Sequence, residues 1–244
     1  MDTTLKGKLY LIPTTLGETS ALEVLPISVK KVVEMIDYYI VENEKAARRS
    51  IKAISANKSQ PSLQLKQLNK FTDPSEIPTY LQPCLEGINM GLLSDAGVPC
   101  LADPGAEIVK IAHQKGIQVV PLVGPSSILM AMMASGMNGQ SFAFNGYLPI
   151  DKKERKTELK RLEKLSFDTE QSQLFIETPY RNDKMLEEIV NILHHDTQIC
   201  VACDITLPTE YIATKSAKDW KTHMPELHKR PAIFIIHKGL KSTT

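Results

Sequence analysis

The stretch from Leu92 to Leu129 constrains this chain more than any other. A Ser94-Asp95-Ala96-Gly97-Val98-Pro99 turn, an Asp103-Pro104-Gly105 turn and a Gly124-Pro125-Ser126-Ser127 turn punctuate two apolar runs and a helix. Gly91-Leu92-Leu93-Ser94 is short and apolar enough for a buried strand, and an acid and a glycine follow at once. Asp95 therefore falls at the carboxyl end of a strand. In open α/β sheets ligands bind in the crevice outside those ends, on loops that a rigid scaffold positions. The glycines of the first and third turns suit a close approach of backbone to a ligand. A Gly-x-Gly-x-x-Gly pattern after the first strand, the dinucleotide fingerprint, is missing.

Strand and helix signals alternate on both sides of this stretch. Lys8-Leu9-Tyr10-Leu11-Ile12 reads as a first strand, broken by Pro13 and the Thr14-Thr15-Leu16-Gly17 turn. A helix over 28–37, a strand over 38–41 and a helix over 45–56 follow, then a polar segment over 57–67 without a firm assignment. A helix is expected over 75–86, its start weakened by Pro78 and Pro83. The next helix has clear punctuation: Asp103 to accept its first free amides, Pro104 at its first position and Gly116 to close it. Ile117 to Val123 is continuously apolar, as a strand buried on both sides should be. This order argues for a parallel sheet with helices on both faces.

Beyond Gly124 the pattern changes. A helix of small and flexible residues over 127–135 precedes strands near 141–146, 173–177, 198–204 and 232–237, with helices over 153–165 and 182–194 among them. The expected domains are 1–123 and 124–244, both α/β, the first with a parallel and the second with a mixed sheet, and the crevice between them is the expected site.

Composition removes several classes. The 244 residues are 42% hydrophobic and 23% charged, with a formal net charge of +1, which gives no global electrostatic case for nucleic acid. The opening Met1-Asp2-Thr3-Thr4-Leu5-Lys6 lacks an apolar signal core, so a cytoplasmic location is expected. The longest apolar region, Ile117 to Met137, is interrupted by Pro121, Gly124, Pro125, Ser126 and Ser127, so no membrane span is expected. Cys200-Val201-Ala202-Cys203 has the spacing of zinc ligands, but on a strand residues three apart point to opposite faces. His194-His195-Asp196 ends a helix and reads as favourable charge at its carboxyl terminus. No metal is expected.

The combination of motifs resembles the tetrapyrrole methylase superfamily, and within it most closely the bacterial 16S rRNA cytidine 2′-O-methyltransferases. The resemblance rests on Ser94 to Gly105 and on Val120-Pro121-Leu122-Val123-Gly124-Pro125-Ser126-Ser127. It extends to Leu9-Tyr10-Leu11-Ile12-Pro13-Thr14, Ala134-Ser135-Gly136, Phe144-Asn145-Gly146-Tyr147-Leu148-Pro149 and Phe175-Ile176-Glu177-Thr178-Pro179-Tyr180-Arg181, thus over most of the chain. It implies a two-domain α/β enzyme, usually a homodimer, with S-adenosylmethionine folded in the cleft between domains. By the same resemblance Pro13, Asp95, Ala96, Gly97 and Val98 line the cofactor, joined by Ser127 and Ile128, while Ile176, Ala202 and Ala232 surround the adenosine. Ile176 and Ala202 also have an ordinary core reading.

The departures fall on the acceptor side. The family's Glu-Asp-Thr-Arg segment is here Glu42-Asn43-Glu44-Lys45, without the Asp and the Arg fork. Its Arg-Glu-Leu-Thr-Lys segment is Cys203-Asp204-Ile205-Thr206-Leu207, and its Glu-Ser-Pro-His-Arg is Glu177-Thr178-Pro179-Tyr180-Arg181. Glu177 as proton acceptor or orienter, Tyr180 as hydrogen-bonding or stacking group and Arg181 as anion contact are the candidates at the acceptor end. A structural Glu177–Arg181 ion pair is the competing reading.

Lys152, Lys156, Lys160 and Lys164, with Arg155 and Arg161 nearby, form a stripe that can meet RNA phosphate. Asp151, Glu154, Glu158 and Glu163 intersperse it, which favours a solvated helix face. The leading expectation is a methyltransferase, with ribosomal RNA as one acceptor. A small-molecule methyltransferase of the tetrapyrrole type and a noncatalytic cofactor- or RNA-binding protein remain as alternatives.

Overall fold

A computed structural model describes residues 5–239, so the Met1–Thr4 part of the opening segment lies outside the described residues. The chain divides into two compact units between Ser126 and Ser127.

The first unit carries β1 (Leu9–Ile12), β2 (Tyr38–Val41), β3 (Gln64–Gln67), β4 (Met90–Leu93) and β5 (Val119–Pro121), in the order β3-β2-β4-β1-β5. All the pairings are parallel. The central strand β4 is buried along its whole length, and a glycine in it is required by its neighbours. A Cβ on Gly91 would stand 2.7 Å from Ile12 Cδ1 and 2.8 Å from Tyr39 Cδ1. Helices α1 (Ala21–Val24), α2 (Ile27–Met35) and α3 (Glu44–Ile54) cover one face, burying Val29, Val33 and Ile51 with Tyr39. Helices α4 (Gln82–Leu85) and α5 (Ala106–Gln114) cover the other, where Leu81, Cys84, Ile108 and Ala112 pack with Leu9, Met90 and Leu92.

Three expectations change here. The helix expected over 75–86 is broken into a 3-10 turn, Ile77–Thr79, and the single turn of α4, because Pro78 and Pro83 remove the amides a continuous helix needs. Asp103 does not cap α5: Gly105 stands at the cap without a side-chain bond, and the Asp103 carboxylate instead pairs with the Ser94 hydroxyl. Gly116 does close that helix, at φ +63°, with its amide on His113 O and that of Ile117 on Ala112 O. Ile117 to Val123 is not buried on both sides. Its ordered core, β5, is an edge strand bound only to β1, with Pro121 exposed and Val123 at 75% exposure.

The second unit opens with α6 (Ser127–Ser135) and contains β6 (Phe142–Tyr147), α7 (Lys152–Thr169), β7 (Ser172–Ile176), α8 (Asn182–Ile192), β8 (Gln198–Cys203), β9 (Tyr211–Ser216), α9 (Ala217–Trp220) and β10 (Ala232–His237). Its sheet order is β6-β7-β10-β8-β9. Only β6 and β7 run parallel; the remaining pairs are antiparallel. Phe175, Val201, Cys203 and Phe234 point from the sheet into a core with Leu159, Leu162, Leu186, Ile189 and Trp220. The opposite face packs on α6, which lies against β8, β9 and β10. Cys200 and Cys203 are both buried and unbridged, on opposite faces as strand alternation requires.

The start of α7 is fixed by Asp151, whose carboxylate accepts from the amides of Lys153 and Glu154, both at 2.9 Å. One turn on, Arg155 does not belong to the solvent stripe. It is buried, donating Nε to Glu188 Oε2 at 2.7 Å and Nη2 to Oε1 at 2.9 Å, with Nη1 on the carbonyls of Pro149 and Ile150. This planar fork holds α7, α8 and the loop after β6 together. Arg161 pairs with Glu158 and Lys164 with Asp168, so half of the expected stripe is neutralised on the helix itself. Trp220, the single tryptophan of the chain, is fully buried and donates its indole N–H to Ile199 O at 2.9 Å.

Candidate functional site

In the first unit all the strands point the same way, so the segments after β1, β2, β3, β4 and β5 gather at one end of the sheet. Pro13 and Thr14 leave β1 buried, and Thr14 ties the turn after β4 in place: its amide donates to Gly97 O at 2.9 Å and its hydroxyl to Ser94 O at 3.2 Å. Gly97 sits at φ +73°, where a Cβ would meet Leu16 Cδ2 at 2.9 Å and Pro125 O at 3.2 Å. Gly124 lies against Pro13 so closely that a Cβ would stand 2.3 Å from its Cβ and Cγ. Of the residues expected at the cofactor, Pro13, Asp95, Ala96, Gly97 and Val98 are thus brought together on interlocked turns. Asp95 and Ala96 are exposed, Gly97 is buried and Val98 is half-buried.

Three carboxylates at this end feel one another's charge. Although Asp95 reaches solvent, partial desolvation by the surrounding turns raises its carboxyl from the ordinary value, opposed by the Asn43 amide and by the Arg49 guanidinium. Burial raises Glu42 as well, helped by the negative charges of Asp103 and Asp95. Asp103 is raised by burial and by Asp95, against the hydrogen bond from Ser94. Anions pressed together this way are stabilised by any cation that enters between them.

Glu42, Asp103 and Arg49 escaped the sequence reading as site residues. Glu42 carried a usable signal, since it directly follows a parallel strand as Asp95 does. The Asn43 departure also has a local explanation: Asn43 Oδ1 caps α3, accepting from Ala46 N at 3.0 Å, a task Asn performs as well as Asp. The cation opposite Asp95 comes from Arg49, four residues beyond Lys45 on α3.

In the second unit the carboxyl ends of β6, β7 and β8 gather with the start of β10. Ile176 and Ala202 flank Ile233 in register, so the three share a face. Ala232 pairs with Cys203 one residue earlier and therefore faces the opposite core. Ser127 and Ile128 form the first turn of α6, both half-buried. Glu177 is buried and lines a cavity of about 210 Å³ with Ile150, Arg155, Arg181, Lys184 and Met185. Its Oε1 accepts from Thr178 N at 2.6 Å and from Arg181 Nη2 at 2.7 Å, while Oε2 receives no hydrogen bond from a described residue. The expected ion pair exists, yet it engages one carboxylate oxygen and leaves the other open. Tyr180 is 69% exposed, edge-on to His228 with Lys229 over its ring. Asp204, at the acidic position of that family segment, accepts from Arg230 Nε at 2.7 Å just ahead of β10, while Cys203 and Leu207 stand where the family carries its two cations.

His194 and His195 lie beyond the end of α8 at Ile192 and are exposed with Asp196, their ligand atoms within 4.8 Å of one another. The Lys238 ammonium lies 2.8 Å from His194 Nδ1. No helix of the described residues is long and apolar enough to cross a membrane.

Similarity to solved structures defines the fold first. The methyltransferase CobJ superposes with a TM-score of 0.63 over 95% of this chain and 94% of that one, at 16% identity. The fold is that of the two-domain tetrapyrrole methyltransferases. No family model matches the chain. Sequence relatives narrow the class: the chain is 29% identical over 232 residues to the ribosomal RNA small subunit methyltransferase I of Vibrio cholerae, covering 94% of this chain and 76% of that protein. It is 31% identical over 214 residues to the same enzyme of Leptospira borgpetersenii, covering 86% and 80%. The chain belongs to the ribosomal RNA small subunit methyltransferase I family, and it is an S-adenosylmethionine-dependent methyltransferase. The noncatalytic alternative falls with that assignment.

Proposed function

We propose that this enzyme transfers a methyl group to a ribose 2′-oxygen of small-subunit ribosomal RNA. The observation that carries the cofactor half is the convergence of Asp95, Glu42 and Asp103 beside the Pro13, Gly97 and Gly124 turns. S-adenosylmethionine supplies an already activated methyl on a positively charged sulfur, and the donor set fits such a cation. Asp95 balances its charge, the close-packed glycine turns let backbone groups approach it, and Ser127, Ile128, Ile176 and Ala202 supply further contacts, Ala232 contributing backbone alone because its side chain faces the opposite core. The acceptor half rests on the family and on the open Oε2 of Glu177. That oxygen takes the proton of the attacking hydroxyl, while Arg181 and the Thr178 amide hold the carboxylate still. Tyr180 stacks on or hydrogen-bonds the nucleotide, and Arg181 meets its phosphate. Holding oxygen and methyl in line and excluding water supplies the remainder of the catalysis.

Calorimetric titration with S-adenosylmethionine, followed by transfer of labelled methyl to small-subunit rRNA, tests the proposal. Turnover on rRNA that disappears in Glu177→Gln supports it; full turnover in that variant removes Glu177 from the proton path. Turnover on a tetrapyrrole with none on rRNA establishes the small-molecule reading instead.

The α7 lysines are expected to contribute little. Asp151, Glu154, Glu158 and Glu163 intersperse the remaining lysines and repel phosphate, so a Lys156→Ala/Lys160→Ala double variant should bind rRNA within about twofold of wild type at every salt concentration. A markedly shallower salt dependence in that variant would place phosphate on this helix.

We further propose a cytoplasmic homodimer. Helix α6 is apolar on every side, the composition of a helix enclosed by protein, yet Leu129 is 49% and Met133 83% exposed. A Met133→Lys variant should run as a monomer in light scattering where the wild type runs as a dimer. A wild-type monomer at the same concentration refutes the dimer.

A further inference from the structure

Phe71 is 83% exposed, and the loop that carries it is built to hold it there. The loop leaves β3 at the same end of the sheet as Glu42, Asp95 and Asp103. Leu68 anchors it from below, buried in the core with its amide on Val41 O at 2.8 Å. Asn69 then closes a compact turn. Its amide donates to Thr72 Oγ1 and its Oδ1 accepts from Phe71 N, both at 2.9 Å, and the Thr72 amide returns to Asn69 O at 3.0 Å. On the far side the Tyr80 hydroxyl bonds Gln67 O at 2.8 Å, and Asn69 Nδ2 reaches Glu42 O at 3.4 Å. Asp73 is turned away, capping Ser75 N.

An aromatic ring left in water on a turn with this many internal bonds has its ordering cost already met, which is the arrangement a stacking platform requires. The surrounding charge indicates the occupant. Lys70 Nζ lies 4.9 Å from the Phe71 ring centroid, and Lys66, on the adjacent strand, lies 5.1 Å from the Tyr80 ring. Tyr80 is buried and serves to hold Lys66, whereas the exposed Phe71 ring beside lysines is the pattern that receives single-stranded nucleic acid, base on the ring and phosphates on the ammonium groups.

We infer that Phe71, with Lys70 and Lys66, forms a stacking platform for an unpaired base of the RNA acceptor at the carboxyl end of the first sheet. This rests on the rRNA reading above and adds a surface to it. A ring that stacks a base gives sequence-tolerant affinity, so the platform orients the strand while other groups select the target.

The test uses the full chain and a single-stranded RNA dodecamer carrying one cytidine. Phe71→Ala should weaken RNA binding about 5- to 150-fold. Its affinity for S-adenosylmethionine and the salt dependence of RNA binding should stay as in the wild type. Lys70→Ala should flatten that salt dependence. Phe71→Trp should bind RNA at least as well as wild type, and its added, exposed indole should be quenched on binding while the buried Trp220 is not. Unchanged affinity in Phe71→Ala, or an unquenched indole in Phe71→Trp, overturns the platform and leaves the rRNA reading standing. A wild-type protein that binds S-adenosylmethionine but no RNA overturns the acceptor reading, and the platform with it.

Discussion

Asp95→Ala is expected to lower the affinity for S-adenosylmethionine by about tenfold or more, the value of one charged hydrogen-bonding group in a partly desolvated place. The demethylated product should lose much less, because it lacks the sulfonium charge that the carboxylate balances. Removing Asp95 also relieves Glu42 and Asp103, both of which it pushes upward, so their carboxyls should titrate lower in the variant. The same electrostatics gives a pH dependence with a defined sign. Desolvation holds all three acids above the ordinary value of about 4, so lowering the pH protonates them before a fully solvated carboxylate would titrate. Affinity for the sulfonium form should therefore fall through that raised range, with a flatter profile for the demethylated product. Calorimetry on both ligands between neutral and mildly acid pH measures this, and equal losses for the two in Asp95→Ala would remove charge balance as its role.

Breaking the Arg155–Glu188 pair is expected to produce the largest loss of stability. Both side chains are 9% exposed, so either partner alone leaves an uncompensated buried charge. Arg155→Met and Glu188→Gln should each destabilise the second unit by about 3–5 kcal/mol, whereas the Arg155→Met/Glu188→Met double variant should recover most of the loss. Arg155→Met should be the worse of the two, because it also strips donors from the carbonyls of Pro149 and Ile150. The hydrogen bond from Arg155 holds the Glu188 carboxyl below its ordinary value, against the opposing effect of burial. A depressed carboxylate stabilises the fold above its unfolded value of about 4, and that contribution is lost as the pH falls through the lower folded value. Wild type should thus lose stability in acid that Glu188→Gln has no share in. Urea unfolding followed by Trp220, whose indole lies in the same unit, reads both effects, and single and double variants of equal stability would show the pair to be ornamental.

The strand and helix order was legible where a short apolar run stood between charged or turn-forming residues. β1, β2, β4 and β10 lie where the sequence placed them, as does α6. β3 escaped because Gln64-Leu65-Lys66-Gln67 carries almost no apolar signal, which an edge strand with one neighbour and one solvent side tolerates; β9, whose apolar residues are confined to Tyr211-Ile212-Ala213, was also missed. The Asp103 cap was misread because Asp, Pro and Gly in succession are a helix start by local chemistry. The acid found a partner in Ser94, nine residues earlier, which only the folded turn provides. Site residues followed the same division. Asp95 and Gly97 announced themselves by strand-end position, whereas Arg49 and Glu188 matter through partners across the fold. The Arg155 stripe shows the limit of periodicity, which gives a helix face but not the residue that turns from it to bury its charge.

The open side of β5 carries a consequence for the chain's behaviour in a crowded solution. Gln118 O and Leu122 N bond Leu9 and Leu11 of β1, so the intervening Pro121 directs its nitrogen outward, away from its own sheet. A foreign strand arriving at that edge meets a position with no proton to give. The sheet is therefore terminated by its own covalent chemistry, and growth of one molecule onto another by strand addition is blocked at the flank where β5 would otherwise offer a template.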